Sequence, residues 1–251
     1  MNAFRLIGDT SRNLSILIML CRLRCKGDGS NVSLKTQQLY CLVYVTRYLD
    51  LWTSFYSTYN SIMKIAYITS ALYILHMLHI PSGNLRSSVN PSGDVFKRSF
   101  VIVPSLFIAF LCTKNDFTFY DFCWTFSIVL ESVAIAPQLH IIYRKRCDVD
   151  GGLKAYCLFQ FCHRFFYVFN WVYRSKTEAI YYHNFVVYFF GVLHCLVILV
   201  PWILHYLKIY PHEDAVASNL RDTTIESGPL IYNLMVDSNE ERRGTELLLL
   251  C

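Results

Sequence analysis

Charge is what this chain has least of. Asp, Glu, Lys and Arg make up 16% of its 251 residues, against 54% hydrophobic ones, and the mean hydropathy is +0.34. Soluble domains carry about a quarter charged residues, so the composition excludes an ordinary soluble globule. Ten Gly and seven Pro are too few for a collagenous or low-complexity chain. The ten cysteines form no CxxC pair, and Cys157 and Cys162 are separated by four residues. That spacing excludes the common zinc and redox frameworks and leaves buried free thiols. No HExxH, GxSxG or P-loop string is present, so nothing marks an enzyme, a catalytic residue, a metal or a cofactor. No cleavable leader is expected either. The first apolar run, Leu14 to Leu20, follows Arg5, Asp9 and Arg12 and lacks a small-residue cleavage site; it is read as a membrane helix.

What the chain does have is long apolar stretches and aromatics: 18 Tyr, 18 Phe and 4 Trp. Seven segments each come near the roughly 20 residues that cross a bilayer, at about 4–24, 36–54, 62–80, 98–113, 119–141, 154–173 and 182–206. Interior polar residues mark them as helices of a bundle. Loops with breakers separate them, among them CKGDGSN, PSGNLRSSVNPSGD and RCDVDGG. Basic residues gather in the first loop (Arg22, Arg24, Lys26, Lys35), the third (Arg86, Lys97, Arg98) and the fifth (Arg144, Lys145, Arg146, Lys154). The second, fourth and sixth hold few. By the positive-inside rule the odd loops are cytosolic, the N-terminus lumenal and the C-terminus cytosolic. The net charge of +5 is therefore topological, and no nucleic-acid partner is expected. From Pro211 to Cys251 the sequence turns polar and acidic, which reads as a flexible cytosolic tail after a membrane domain spanning residues 1–210. The tail holds two short sorting-like strings, ESGPLI from Glu226 and YNLM from Tyr232. Its end, LLLC, does not fit a prenylation box.

The ionisable residues inside the spans are Arg5, Arg12, Arg47, Asp50, Glu131, His163 and Arg164. An ionised group at bilayer depth costs on the order of 3 kcal/mol even on lenient scales, so such residues face a bundle interior or a wet cavity. Arg47 and Asp50, three residues apart on an unbroken helix, would share a face and partly compensate each other. Four arginines against two carboxylates, with Arg174 at the lumenal end of segment six, leave a positive surplus. Guanidinium forks suit carboxylates, and Tyr48, Trp124, Tyr167, Asn170 and Trp171 could add hydroxyl, indole and amide contacts. The residues alone predict a polytopic receptor or transporter for an anionic ligand.

Five strings carry a resemblance: MNAFRLIGD, VSLKTQQLY, TRYLDLWTSFYSTYN, FTFYDFCWTFSIVLESVAIAPQL and FNWVYR. In order and spacing they resemble the KDEL receptor family, the ER lumen protein-retaining receptors, over about residues 1–210. Pro137 and Gln138 match the PQ-loop of the wider class that includes SWEET-type transporters. The resemblance implies an all-α membrane protein of seven transmembrane helices, two three-helix repeats joined by a linker helix. It also implies capture of the C-terminal KDEL or HDEL tetrapeptide of escaped ER proteins in the acidic Golgi, and their return in coated vesicles. Carried over residue by residue, Arg5, Arg47 and Arg174 become carboxylate readers, with Tyr48 beside Arg47. Asp121, where the family has Glu, and Trp124 would meet the peptide's basic first residue. Glu131, Arg164, Tyr167, Asn170 and Trp171 fall in the family's buried polar network, and Asp50 is read as orienting its neighbours. The implied partners are the tetrapeptide, a coatomer or adaptor coat on the cytosolic side, and membrane lipid.

The departures are informative too. Arg12 stands where the family has a pH-sensing histidine, and arginine does not titrate near neutrality. His163 stands in the place of a tyrosine, which makes it the candidate sensor here. The aspartate expected late in segment seven is replaced in HCLVILVPW, and the lysine-rich tail that recruits coatomer is absent. A PQ-loop solute transporter is the rival reading. Sugar sites are lined by neutral groups and a cation exporter would want surplus carboxylates, so the arginines argue against both.

Overall fold

The computed structural model describes residues 2–53, 55, 57–89, 94–113, 118–145, 150–178 and 184–206. The chain divides into two units, Met1–Ile203 and Leu204–Cys251. The acidic tail and its two sorting-like strings lie outside the described residues.

Every regular element among the described residues is helical: α1 (Ala3–Arg24), α2 (Leu34–Arg47), a 3-10 turn (Leu49–Trp52), α3 (Thr58–His79), α4 (Asn84–Ser88), α5 (Ser99–Cys112), α6 (Phe119–Val133), α7 (Ala136–Lys145), α8 (Gly151–Thr177) and α9 (Phe185–Tyr206). Polar side chains set where several begin. Asn2 accepts from the Arg5 amide at 3.0 Å, Ser33 from Thr36 at 3.1 Å, Ser57 from Asn60 at 3.2 Å and Asp150 from Gly152 at 3.0 Å. Each cap satisfies a backbone N–H that has no partner inside its helix.

Three helical stretches are long and apolar enough to cross a membrane: Thr58–His79, Phe119–Tyr143 and Phe185–Leu204. The helix Ser99–Cys112 is apolar and shorter. At 22 and 27 residues, α1 and α8 have the length, about 33 and 40 Å at 1.5 Å per residue, but their interior polar residues lower the hydropathy. Large apolar side chains point outward on several helices, including Leu17 on α1, Ile62 and Leu72 on α3, Phe107 on α5 and Phe189 on α9. So broad an exposed apolar surface belongs against lipid or a partner rather than water.

Two predicted segments are not single helices. The stretch 36–54 is α2 up to Arg47, then a 3-10 turn entered through Tyr48 at φ −108°, ψ 26°. The expected pairing of Arg47 with Asp50 is therefore not made; Asp50 reaches Lys64 of α3 instead, at 2.7 Å. The stretch 119–141 breaks after Val133, and α7 starts at Ala136–Pro137. Proline has no N–H to give the previous turn, so a break costs least there. Gln138 fills the break: its backbone N–H reaches Thr36 Oγ1 at 2.9 Å, its amide oxygen accepts from the Ser33 N–H at 2.9 Å, and its amide nitrogen donates to the Asn31 carbonyl at 2.7 Å. The fully buried Gln138 thus ties α7 to the start of α2.

Within the first unit, α1 lies along α8, while α2 packs on α3, α6 and α7, and α5 on α6. Lipid supplies no hydrophobic drive for helices to associate, so close backbone approach matters. Gly8 permits it on α1, since a Cβ there would sit 2.7 Å from Tyr167 of α8; on α9, a Cβ at Gly191 would sit 2.6 Å from Trp171. The core joins Met19, Tyr40, Tyr44, Tyr67, Leu130, Leu153 and Tyr156 from α1, α2, α3, α6 and α8.

Candidate functional site

Helices α1, α2, α3, α6, α8 and the start of α9 enclose a cavity of about 390 Å³. The first halves of α6 and α9 reach it, through Trp124 and Val187, and so do the last turns of α2 and α8, through Arg47 and Arg174. Along the wall run stacked tyrosines. Tyr44 lies over Tyr48 at 6.1 Å, four residues on, and Tyr67 of α3 stacks on both at 5.6 and 6.3 Å.

Glu131, 1% exposed, is the hub. Its Oε2 accepts from Arg47 Nη1 and from Arg164 Nη2; its Oε1 lies 3.7 Å from Arg12 Nη2 and 3.9 Å from His163 Nε2. Arg12 is pinned on three sides. It donates to the Tyr44 hydroxyl at 2.5 Å and to Gln160 Oε1, and lies over the Tyr40 ring at 4.6 Å. Arg47 Nε donates to Ser127 Oγ at 3.0 Å, and the Arg164 guanidinium lies 5.8 Å from the Trp171 ring. One carboxylate cannot satisfy three forks. Arg12 Nη2, Arg47 Nη2 and Arg164 Nε are buried and have no hydrogen-bond acceptor. Buried donors without acceptors are costly and uncommon in a finished core.

At the mouth, Arg174 donates through Nε and Nη2 to Glu178 at 2.7 and 2.8 Å. That bond holds the exposed Glu178 carboxyl below its ordinary range. Four guanidinium groups and one carboxylate line the cavity. Subtracting Glu178, paired with Arg174, leaves two positive charges in excess.

The structure thus brings together Arg47, Tyr48, Trp124, Glu131, His163, Arg164, Tyr167, Trp171 and Arg174 around one space. It places three predicted site residues elsewhere. Arg5 is half-exposed beside Asp9, at 3.8 Å. Asp121 is exposed and accepts from Thr118 Oγ1 at 2.6 Å, one turn from Trp124. Asn170 is buried, with its Oδ1 unpartnered, but is not in the lining. His163 has a defined tautomer. The Gly8 carbonyl, 2.9 Å from Nδ1, can only accept, so Nδ1 carries the hydrogen and Nε2 faces Glu131.

Sequence reasoning missed two charges. Asp9, buried on α1, accepts from the Tyr167 hydroxyl at 2.5 Å and the Tyr59 hydroxyl at 2.9 Å. Lys64 of α3 is paired with Asp50 and lies 5.8 Å from the Tyr48 ring. Asp9 sits four residues after Arg5 and three before Arg12, a spacing that would have put it on their face. Chemically, the arrangement suits an anion: fixed guanidinium donors, an aromatic wall and, among the described lining residues, the single carboxylate of Glu131.

Residues 28–174 match the family model for the ER lumen protein retaining receptor. Curated relatives agree over most of the chain. An ER lumen protein-retaining receptor of Petunia hybrida is 42% identical over 184 residues, which is 73% of this chain and 84% of the relative. ER lumen protein-retaining receptor A of Arabidopsis thaliana is 41% identical over 178 residues, 71% and 81% of the two chains. ER lumen protein-retaining receptor 3 of Xenopus laevis is 39% identical over 181 residues, 72% and 82%.

Proposed function

This chain belongs to the family of ER lumen protein-retaining receptors, and on that premise we propose that its cavity captures the free C-terminus of a KDEL- or HDEL-type tetrapeptide. In this reading the protein binds escaped soluble ER proteins in the Golgi and returns them to the ER in coated vesicles. It does so as a seven-span bundle of two three-helix repeats joined by a linker, N-terminus lumenal and C-terminus cytosolic. It is a receptor and not an enzyme. The observation that carries the proposal is that three arginines lining the cavity, Arg12, Arg47 and Arg164, each keep a buried guanidinium nitrogen without a hydrogen-bond acceptor. A terminal carboxylate supplies two acceptor oxygens in the planar geometry a guanidinium fork matches. The peptide's acidic side chain would take Arg174 from Glu178, and the aromatic wall would pack its apolar residue. A neutral sugar would leave the surplus charge uncompensated, which disfavours solute transport.

The test is binding of a KDEL-type peptide to the detergent-purified full chain, with a free and with an amidated C-terminus. Amidation should abolish measurable binding, and Arg47→Ala should cost the free peptide about 2–5 kcal/mol, as for loss of one partner of a desolvated charge pair. Equal affinity of the two peptides for the wild type would refute carboxylate recognition.

A further inference from the structure

A second cavity, of about 480 Å³, lies at the other end of α1 and α3, between their last turns and α4. Arg24 is twelve residues beyond Arg12 on α1, or about 18 Å along the helix. Three side chains able to carry positive charge, Arg24, Lys26 and His76, line this space, and no Asp or Glu does. Tyr73, Ser82 and Asn84 add neutral hydrogen-bonding groups.

Cations near helix C-termini commonly serve to cap the last carbonyls. Here backbone amides already do that work. The Cys21 carbonyl accepts from Cys25 at 2.9 Å and Lys26 at 3.2 Å, the Arg22 carbonyl from Asp28 at 3.1 Å, and the His76 carbonyl from Ile80 at 2.9 Å. Neighbouring Arg22 shows what a consumed arginine looks like, bound to Asp28 at 2.7 Å and Asp150 at 2.9 Å. Among the described residues Arg24, Lys26 and His76 make no such ion pair. The surroundings are apolar and open: Ile80, which caps α3 and lines the space, is 68% exposed, and Leu72 on α3, four residues before His76, is 51% exposed. A ligand with an anionic head in the cavity could therefore lay an acyl chain along α3.

We propose that this cavity binds the phosphomonoester headgroup of a phosphoinositide lipid. Basic pockets between membrane helices on the cytosolic side recognise such headgroups. Arginine offers a bidentate fork to the phosphate oxygens, and lysine a compact second charge. The proposal rests on the membrane reading and on the orientation proposed above, but not on peptide capture. Lipid occupancy would bridge the cytosolic ends of α1 and α3, two helices that also line the peptide cavity at their other ends.

The experiment uses the full-length protein in phosphatidylcholine nanodiscs, with lipid binding read by native mass spectrometry. The probes are dioctanoyl phosphatidylinositol monophosphate, dioctanoyl phosphatidylinositol, dioctanoyl phosphatidylserine and a soluble inositol phosphate. Phosphatidylinositol monophosphate should bind most tightly, and Arg24→Gln with Lys26→Gln should weaken it by about tenfold or more. The thermal unfolding temperature of the same double variant serves as the folding control and should match that of the wild type, and peptide affinity, where the wild type binds peptide, should stay within about twofold. If phosphatidylinositol binds as tightly as its monophosphate, or if the double variant binds the monophosphate unchanged, the site is overturned. Equal binding of the soluble inositol phosphate would overturn the lipid assignment. Loss of peptide binding in the wild type, with lipid binding intact, would count against the proposed function and not against this site.

Discussion

At the scale of single residues, the site is a problem of charge balance around Glu131. Three arginines, from α1, α2 and α8, converge on this buried carboxylate. Removing one partner of a buried ion network leaves the others uncompensated, at a cost of about 3–5 kcal/mol. Glu131→Gln should therefore lower the thermal unfolding temperature of the peptide-free protein markedly. Added acidic peptide should raise it more in the variant than in the wild type, because the ligand's carboxylate supplies the charge the variant lacks. A variant as stable as wild type would show that the arginines are solvated and not held by Glu131. Much of this cluster is legible in the sequence, because ionisable groups inside apolar spans are rare enough to stand out. Asp9 and Lys64 are less legible. Asp9 is within reach through its i,i+4 spacing to Arg5, but its tyrosine partner Tyr167 lies 158 positions away, and Asp50 reaches Lys64 only because α2 has ended.

At the scale of elements, the two helix breaks show where sequence reasoning works and where it stops. The α6–α7 break has a local cause in Pro137 and a motif to mark it. The α2 break does not: no glycine or proline lies between Tyr44 and Thr53, and the helix ends where Asp50 finds Lys64 across on α3. Tertiary pairing overrides local propensity there, so the inferred contact between Arg47 and Asp50 was wrong. The α6–α7 break also makes a prediction. Gln138 makes three hydrogen bonds to the loop and first turn leading into α2, and Gln138→Ala removes the two made by its side chain. With the buried Ser33 amide left without its acceptor, the expected loss is about 1–3 kcal/mol where that group finds no water. Hydrogen exchange should show faster opening at the start of α2 and little change in α8. Uniform loss of protection across the bundle would mean that Gln138 supports the whole fold and does not act as a local tie.

At the scale of the whole molecule, two behaviours are open to test: where the protein travels, and when it lets its ligand go. Deleting the residues after Tyr210 removes both sorting-like strings. If the tail carries traffic signals, the truncated receptor should distribute differently from the full chain in fluorescence images; an unchanged distribution leaves ESGPLI and YNLM without a role. Release driven by pH would need a group that titrates between compartments. The arginines of the cavity do not titrate in that range. Glu178 has its carboxyl held below the ordinary range by Arg174, so it stays ionised from pH 5.5 to 7.5 and contributes no switch. His163 is the imidazole in the lining; burial and the neighbouring Arg12 and Arg164 oppose its protonation while Glu131 favours it, so it can act as a switch only if the second effect prevails. Its Nδ1 hydrogen is committed to the Gly8 carbonyl, so an incoming proton lands on Nε2, between Glu131 and the Arg12 and Arg164 side chains. Protonation adds positive charge to an anion site, so peptide binding should tighten as pH falls and weaken toward neutrality. A ligand carboxylate near Nε2 favours the imidazolium in turn, and binding therefore takes up a proton. Peptide affinity across pH 5.5–7.5 should rise toward acid in the wild type and flatten in His163→Tyr. Parallel profiles in the two proteins would exclude His163 as the switch, and a flat wild-type profile would mean that Arg12 holds the receptor in its binding state at every pH it meets.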